Sequence, residues 1–217
     1  MARVKVFWEV VSPGARRALS EISRALGSSG FSLAGGTAMA LFLGHRSAED
    51  WGFFSPTFRD PQALFARLRE KGLEGELKLV APGTLCVTVD EVPVSFFGYG
   101  YGLLQPLVFL EAGLVPLADP LDIAWMKLLA VAQGGSRKDL VDVWAFLRTG
   151  VTLGELLSAF QRKYGIREVG YLLRALTYFD DAEAEPPLAL RRGVSWDVVK
   201  VELERWVTDL IESGTVL

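Results

Sequence analysis

The sequence contains very few residues of two types on which many functional sites depend. Its 217 residues include one cysteine, Cys86, and one histidine, His45. A single cysteine cannot form a disulfide within its own chain, and we interpret it as a small buried strand residue in a reducing cytoplasm. A single histidine excludes any site that needs a second one, such as a histidine-rich zinc site.

Long apolar runs and an excess of positive charge are also lacking. No uninterrupted apolar stretch reaches the ~20 residues of a membrane-spanning helix. No early apolar run carries the basic flank and cleavage site of a secretion signal, so we expect a cytoplasmic protein without a membrane partner. The chain has 23 basic and 26 acidic residues, for a net charge of −3. This balance argues against strong non-specific binding of nucleic acid, although it leaves room for a local basic patch.

The composition and the hydrophobic pattern indicate a globular protein in two parts. Half of the residues are hydrophobic and 23% are charged, which is typical of a folded domain. Strand patterns are confined to the first part, whereas the second part shows only helical periodicity. We therefore predict an α+β protein with one domain over residues 1–116, a mixed sheet with flanking helices, and a helical bundle over residues 117–217.

Capping residues and apolar spacing place the individual elements. The first part is predicted to hold helices over 13–26, 37–43 and 61–71, strands over 76–80, 84–89 and 92–97, and a hairpin turn at Asp90-Glu91. In the second part a helix follows Asp119, and two further helices begin with the capping boxes Ser136–Asp139 and Thr152–Glu155. A fourth helix is predicted over 166–179, followed by a loop over 180–187 and a last helix after Ser195.

The stretch from Leu33 to Ser55 is the strongest candidate for a functional site. Gly35 and Gly36 follow a short apolar strand, and Thr37 begins an apolar helix that ends at Gly44. The start of a helix after two glycines presents free backbone amides, which suits an anionic phosphate. Most glycine pairs before a helix are simple turns, so the motif alone leaves both interpretations open.

Three motifs in this stretch resemble a known family. They are Gly35-Gly-Thr-Ala38, Leu43-Gly-His-Arg46 and Asp50-Trp-Gly-Phe-Phe-Ser55. Together they resemble the opening motif of the AbiEii/AbiGii toxin group of the nucleotidyltransferase-fold superfamily, and the likeness extends over about residues 31–180. It implies a nucleotidyltransferase-like fold that binds a nucleoside triphosphate in the interdomain cleft and a toxin paired with an antitoxin protein. It also implies Mg²⁺-dependent transfer of a nucleoside monophosphate to a hydroxyl of RNA or protein.

The same comparison shows a departure at the acidic positions. Asp50 stands at the first acid of the family motif, but Gly52 occupies the second and Ser95 the expected place of the third. Asp50 with a serine could hold at most one weakly bound Mg²⁺ and is a poor site for two. Glu49 could replace a missing acid if a bulge at Gly52 turned it toward the site.

Three functional hypotheses follow. We favour a diverged member that binds a nucleoside triphosphate while metal-dependent transfer is impaired. The second hypothesis is a working transferase in which Asp50 acts with Glu49 or an unusual ligand. The third is a non-catalytic module on the same fold that binds a nucleotide, RNA or a partner protein.

Further candidates lie outside the acidic positions. The resemblance implies that Lys127, a catalytic candidate together with Asp50, faces the nucleotide phosphates, and that Asp139 and Asp142 belong to the same site. The alternative is a Lys127–Asp142 pair that pins two helices, with Asp139 serving the capping box. Two more choices stay open: Arg46 either reaches a phosphate or contacts the end of a helix, and Trp51, Tyr99 and Tyr101 either stack on a base or belong to the core.

Overall fold

The computed structural model describes residues 5–214 and divides into two compact units, Met1–Asp119 and Pro120–Leu217. In the first unit a single 3₁₀ turn, Trp8–Val10, precedes three helices and five strands. The helices are α1 (Pro13–Leu26), α2 (Gly35–Leu43) and α3 (Pro61–Glu70). The strands are β1 (Ser32–Ala34), β2 (Trp51–Ser55), β3 (Glu76–Ala81), β4 (Thr84–Val89) and β5 (Val92–Gly98).

The five strands form one mixed sheet in the order β1-β2-β5-β4-β3. Strands β2 and β5 are parallel, and every other neighbouring pair is antiparallel. Asp90 and Glu91 have φ angles of 47° and 66° and make the tight turn between β4 and β5, as the sequence predicted. The predicted fold class, an α+β protein with a mixed sheet, is confirmed.

One face of the sheet is the core of the first unit. Alternate residues of β4 and β5, such as Leu85, Val87 and Phe96, are buried on this face, and α1 and α3 pack against it. The opposite face, which we call the second face, carries the residues in between, and these are half-buried: Gly52, Phe54, Cys86, Ser95 and Phe97. The strict alternation follows from the pleat of the strands.

A long irregular segment, residues 99–119, connects the two units along the chain. It runs beside β1, where the Leu33 amide donates to the Pro116 carbonyl at 2.8 Å and the Ala118 amide donates to the Leu33 carbonyl at 2.9 Å. These bonds pair backbone groups of β1 at the edge of the sheet. The segment therefore belongs to the fold of the first unit.

The second unit is helical, with α4 (Pro120–Ala132), α5 (Arg137–Leu147), α6 (Leu153–Tyr164), α7 (Gly170–Leu176), α8 (Asp180–Glu183) and α9 (Trp196–Glu212). Helix α4 packs against α5, α6 and α7, and α9 packs against α5, α6 and α7. Both predicted capping boxes, Ser136–Asp139 and Thr152–Glu155, are present.

Two sequence predictions for the second unit were wrong. The helix predicted over residues 166–179 is limited to α7, and the segment predicted as a loop over 180–187 contains the single turn α8. The buried Arg137 explains part of this difference, because its side chain donates to the carbonyls of Ala182, Glu183 and Pro186. These bonds give carbonyls at the end of α8 and just after it a buried side-chain donor, where a helix leaves its last carbonyls without a full set of partners.

Candidate functional site

The start of α2 is the part of the first unit best suited to an anion. The helix begins at Gly35, two residues earlier than predicted, and its N-cap residue, Ala34, has no side chain that could cap the first amides. Gly35 has a φ of 77°, a conformation that side chains rarely adopt. The first amides of this nine-residue helix therefore point out of the helix end, where the helix dipole favours negative charge.

Asp50 lies beside this helix start. It is exposed and directly precedes β2, and the antiparallel pairing of Ala34 with Gly52 brings it next to α2. The Thr37 hydroxyl donates a hydrogen bond of 2.9 Å to Asp50 Oδ1. The structure thus brings Thr37 and Asp50 together at the first turn of α2.

The acidic positions of the family motif do not form a carboxylate site. Gly52 and Ser95 are direct partners across the parallel pair β2–β5, so the second and third acids would meet here if they were present. The Ser95 hydroxyl instead lies 3.5 Å from Cys86 Sγ. Within residues 5–214 no group of three or more histidine, cysteine, aspartate or glutamate side chains could hold a metal ion. Because two-metal transfer requires several carboxylates on one face, these residues do not fit a pair of Mg²⁺ ions.

Glu49 is not positioned to replace a missing acid. Strand β2 pairs without a register shift with β5 from Trp51 to Ser55 and with β1 from Gly52 to Phe54. The suggested bulge at Gly52 is therefore absent. Glu49 lies outside the strand and is exposed. Without a bulge, nothing in the pairing of β2 turns its carboxylate toward Gly52 and Ser95.

The Phe54 ring occupies space beside the acidic positions, which the sequence reasoning missed. A Cβ atom added to Gly52 would lie 3.1 Å from Phe54 Cε2 and 3.4 Å from the Ala34 carbonyl oxygen. A Cβ added to Gly35 would lie 3.7 Å from the same ring atom. The ring also packs against Phe97, with centroids 5.1 Å apart. Period-2 alternation could have shown that Phe54 shares a face with Gly52, but not where its ring points.

His45, Arg46 and Trp51 are all buried. Arg46 is 2% exposed, and its guanidinium donates to the Ser47 carbonyl at 3.2 Å. The Trp51 ring nitrogen donates to the Ala15 carbonyl at 2.8 Å, so this ring belongs to the core and is not a platform for a base. A phosphate contact of Arg46 stays a prediction, which the buried position of its side chain does not favour.

Lys127 forms a buried cluster with two aspartates in the second unit. Its ammonium lies 2.7 Å from Asp139 Oδ1 and 2.8 Å from Asp142 Oδ2, and the Asp142 side chain is 0% exposed. Burial alone would lower the pKa of Lys127, but the adjacent Asp142 and Asp139 carboxylates outweigh it and raise that pKa. Asp139 also accepts from the Ser136 amide and hydroxyl. The structure therefore contains the Lys127–Asp142 pair that joins two helices. Contact of Lys127 with nucleotide phosphates stays a prediction.

A second buried ion pair was not anticipated from the sequence. Lys163 of α6 pairs with Asp122 of α4, and both side chains are almost completely buried. The Lys163 ammonium also lies 5.2 Å from the centre of the Trp125 ring, where the ring face attracts a cation. A lysine on an otherwise apolar helix face was the available sign, but its partner is far away in the sequence.

Comparison with known proteins places these observations in a family. Residues 84–204 match the family model described as nucleotidyl transferase AbiEii toxin, type IV toxin–antitoxin system. An uncharacterised protein of Aquifex aeolicus is 34% identical over 188 residues, which cover 84% of this chain and 89% of that protein.

Two solved structures share the fold. The crystal structure of JHP933 from Helicobacter pylori has a TM-score of 0.56 at 16% identity, covering 94% of both chains. A candidate nucleotidyltransferase from H. pylori has a TM-score of 0.55 at 16% identity and covers 92% of this chain and 94% of that chain. No helix within residues 5–214 is long and apolar enough to cross a membrane. The matched family model and the fold together show that this chain belongs to the AbiEii family of nucleotidyltransferase toxins.

Proposed function

We propose that the protein binds a nucleoside triphosphate at the start of α2 and that its metal-dependent nucleotidyl transfer is impaired. One observation carries this proposal: the N-terminus of α2 has the features of a phosphate-binding helix end, whereas two of the three carboxylates of the family motif are missing. Gly35 and Thr37 lie at the helix start with Asp50 hydrogen-bonded beside them, whereas Gly52 and Ser95 face each other without a carboxylate. Binding and transfer depend on these two parts separately.

The binding half rests on the first turn of α2. Gly35, Gly36 and Thr37 supply backbone amides to the triphosphate, and the absence of a capping side chain at Ala34 leaves that helix end open to a ligand. Lys127, Asp139 and Asp142 remain candidates for a second contribution. In this structure the Lys127 ammonium is neutralised by both carboxylates, so a phosphate would have to compete with them.

The proposal that transfer is impaired depends on the missing carboxylates. Nucleotidyl transfer develops negative charge on the attacking and leaving oxygens, and divalent metal ions usually neutralise it. Asp50 is the one carboxylate of the family motif that this chain retains, and it could hold a single Mg²⁺ at most. The description of the family as a type IV toxin–antitoxin system supports an antitoxin partner. An acceptor hydroxyl on RNA or protein and a cytoplasmic location are further parts of the proposal.

A charge placed in the first turn of α2 tests the binding site. Gly36→Asp adds a carboxylate where the helix dipole tolerates it, but where it repels a phosphate. Gln62→Asp is the matched control, because Gln62 is also the second residue of a helix in the same unit and is exposed. In calorimetry with each nucleoside triphosphate we expect Gly36→Asp to weaken binding by about tenfold or more, with Gln62→Asp unchanged.

Two results would count against the proposal. If no nucleoside triphosphate binds to the wild-type protein, or if Gly36→Asp binds as tightly as Gln62→Asp, the start of α2 is not the phosphate site. Transfer is followed separately with labelled triphosphates, total RNA and Mg²⁺ or Mn²⁺. Efficient labelling of RNA that is lost in Asp50→Ala would show a working transferase and refute the impaired step.

A further inference from the structure

A cavity in the first unit lies at the other end of β2 from Asp50. Its volume is about 820 Å³, within the range of pockets that enclose a small molecule. Its walls come from the end of α1 and the loop that follows it, the adjacent ends of β1 and β2, and the irregular segment 99–119. The lining includes the rings of Phe31, Phe54, Tyr99, Tyr101 and Phe109 and the side chain of Leu107.

The described residues that line this cavity are all uncharged. The polar side chains among them, such as Ser28 and Gln105, are neutral. Phe109 is 72% exposed and Tyr101 47% exposed, so large rings are held in contact with water. This lining gives a phosphate or carboxylate no charged partner, whereas aromatic walls with a few neutral hydrogen-bonding groups suit an uncharged ring system.

The cavity is separate from the start of α2. Asp50 and Ser55 lie at opposite ends of β2, roughly 16 Å apart at the usual rise of a strand. None of Gly35, Gly36, Thr37 or Asp50 lines the cavity. Phe54 is the residue common to both places, because its ring lines the cavity and also lies against Gly52 and Gly35.

We propose that this cavity is a binding site for a neutral, ring-bearing, mainly apolar small molecule. The ligand packs against the rings of Phe54 and Tyr99 and covers the exposed ring of Phe109. The site selects against anions because a negatively charged group buried there would find no positive partner. The proposal does not rest on the nucleotide site proposed above, with which the cavity shares only the neighbouring ring of Phe54.

A matched pair of fluorescent probes tests the selection for neutral ligands. N-phenyl-1-naphthylamine is uncharged, and 1-anilinonaphthalene-8-sulfonate is the same ring system with a sulfonate. We expect the folded wild-type protein to bind the neutral probe about tenfold more tightly than the sulfonate. Absence of binding of the neutral probe, or equal affinity for both probes, overturns the proposal.

Two variants test the location. Leu107→Trp fills the cavity from its wall, while Leu104→Trp adds the same ring to an exposed leucine of the same segment that does not line it. Leu107→Trp should weaken binding of the neutral probe by about tenfold, and Leu104→Trp should not. Circular dichroism confirms that both variants are folded. Equal loss in both variants, no loss in either, or displacement of the probe by excess ATP each places the probe elsewhere and refutes the site.

Discussion

Replacing Lys127 by methionine is the sharpest test of the second unit. Methionine keeps most of the length and the apolar stem of lysine but removes the charge that faces Asp139 and Asp142. The Asp142 side chain is 0% exposed, so its carboxylate would remain buried without its cation. Breaking a buried pair in this way costs about 3–5 kcal/mol. We expect Lys127→Met to lower the free energy of unfolding of this unit by that amount.

The assay is equilibrium unfolding in urea at pH 7, followed by tryptophan fluorescence. Trp125 and Trp144 are buried in the second unit, so its unfolding changes the tryptophan emission, to which the buried Trp51 of the first unit also contributes. A second substitution supplies the internal control: Asp142→Asn in the Lys127→Met background removes the uncompensated charge and should recover about 1–3 kcal/mol. A loss below about 1 kcal/mol for Lys127→Met alone would refute the buried cluster as a stabilising element.

The pH dependence provides an independent check of the same cluster. The pKa of Lys127 is raised above its ordinary value of 10.5 in the folded protein. The folded state therefore holds this proton more tightly than the unfolded state, and the stabilisation is fully present below the ordinary pKa. It is lost as pH rises through the folded pKa. Wild-type stability should fall in this alkaline range more steeply than that of Lys127→Met, and parallel curves would contradict the assignment.

Two further predictions concern the other sites. Gly52→Asp with Ser95→Asp should gain more Mn²⁺ affinity in calorimetry when Phe54→Ala is added, because a Cβ at Gly52 lies 3.1 Å from the Phe54 ring, which must move to admit it. Equal affinity with and without the third change would contradict an obstructing role of that ring. Arg137→Met should lower the free energy of unfolding by about 1.5–3 kcal/mol in thermal unfolding, because it removes buried bonds from a guanidinium to backbone carbonyls. The exposed neighbour Lys138→Met is its control, and an equal loss in both variants would refute the contribution of these bonds.

The elements that could be predicted from the sequence are those whose stabilising contacts are short in sequence. The capping boxes Ser136–Asp139 and Thr152–Glu155 join residues three apart and form as predicted. The β4–β5 hairpin likewise follows from alternating apolar residues around one turn. The helix predicted over 166–179 was wrong at both ends, because α7 spans only Gly170–Leu176. The shape of the following segment depends on Arg137, more than forty residues earlier.

The same distinction between local and distant contacts applies to the candidate site. The sequence alone determined that Asp50 is present and that Gly52 and Ser95 bring no carboxylates, since residue identity needs no structure. Only the tertiary structure showed that Thr37 bonds to Asp50, that the Phe54 ring lies against Gly52 and that Lys127 is held by both aspartates. Alternation along a strand fixes which face a side chain takes, but the direction of a ring and the partner of a buried charge are set by packing between distant segments.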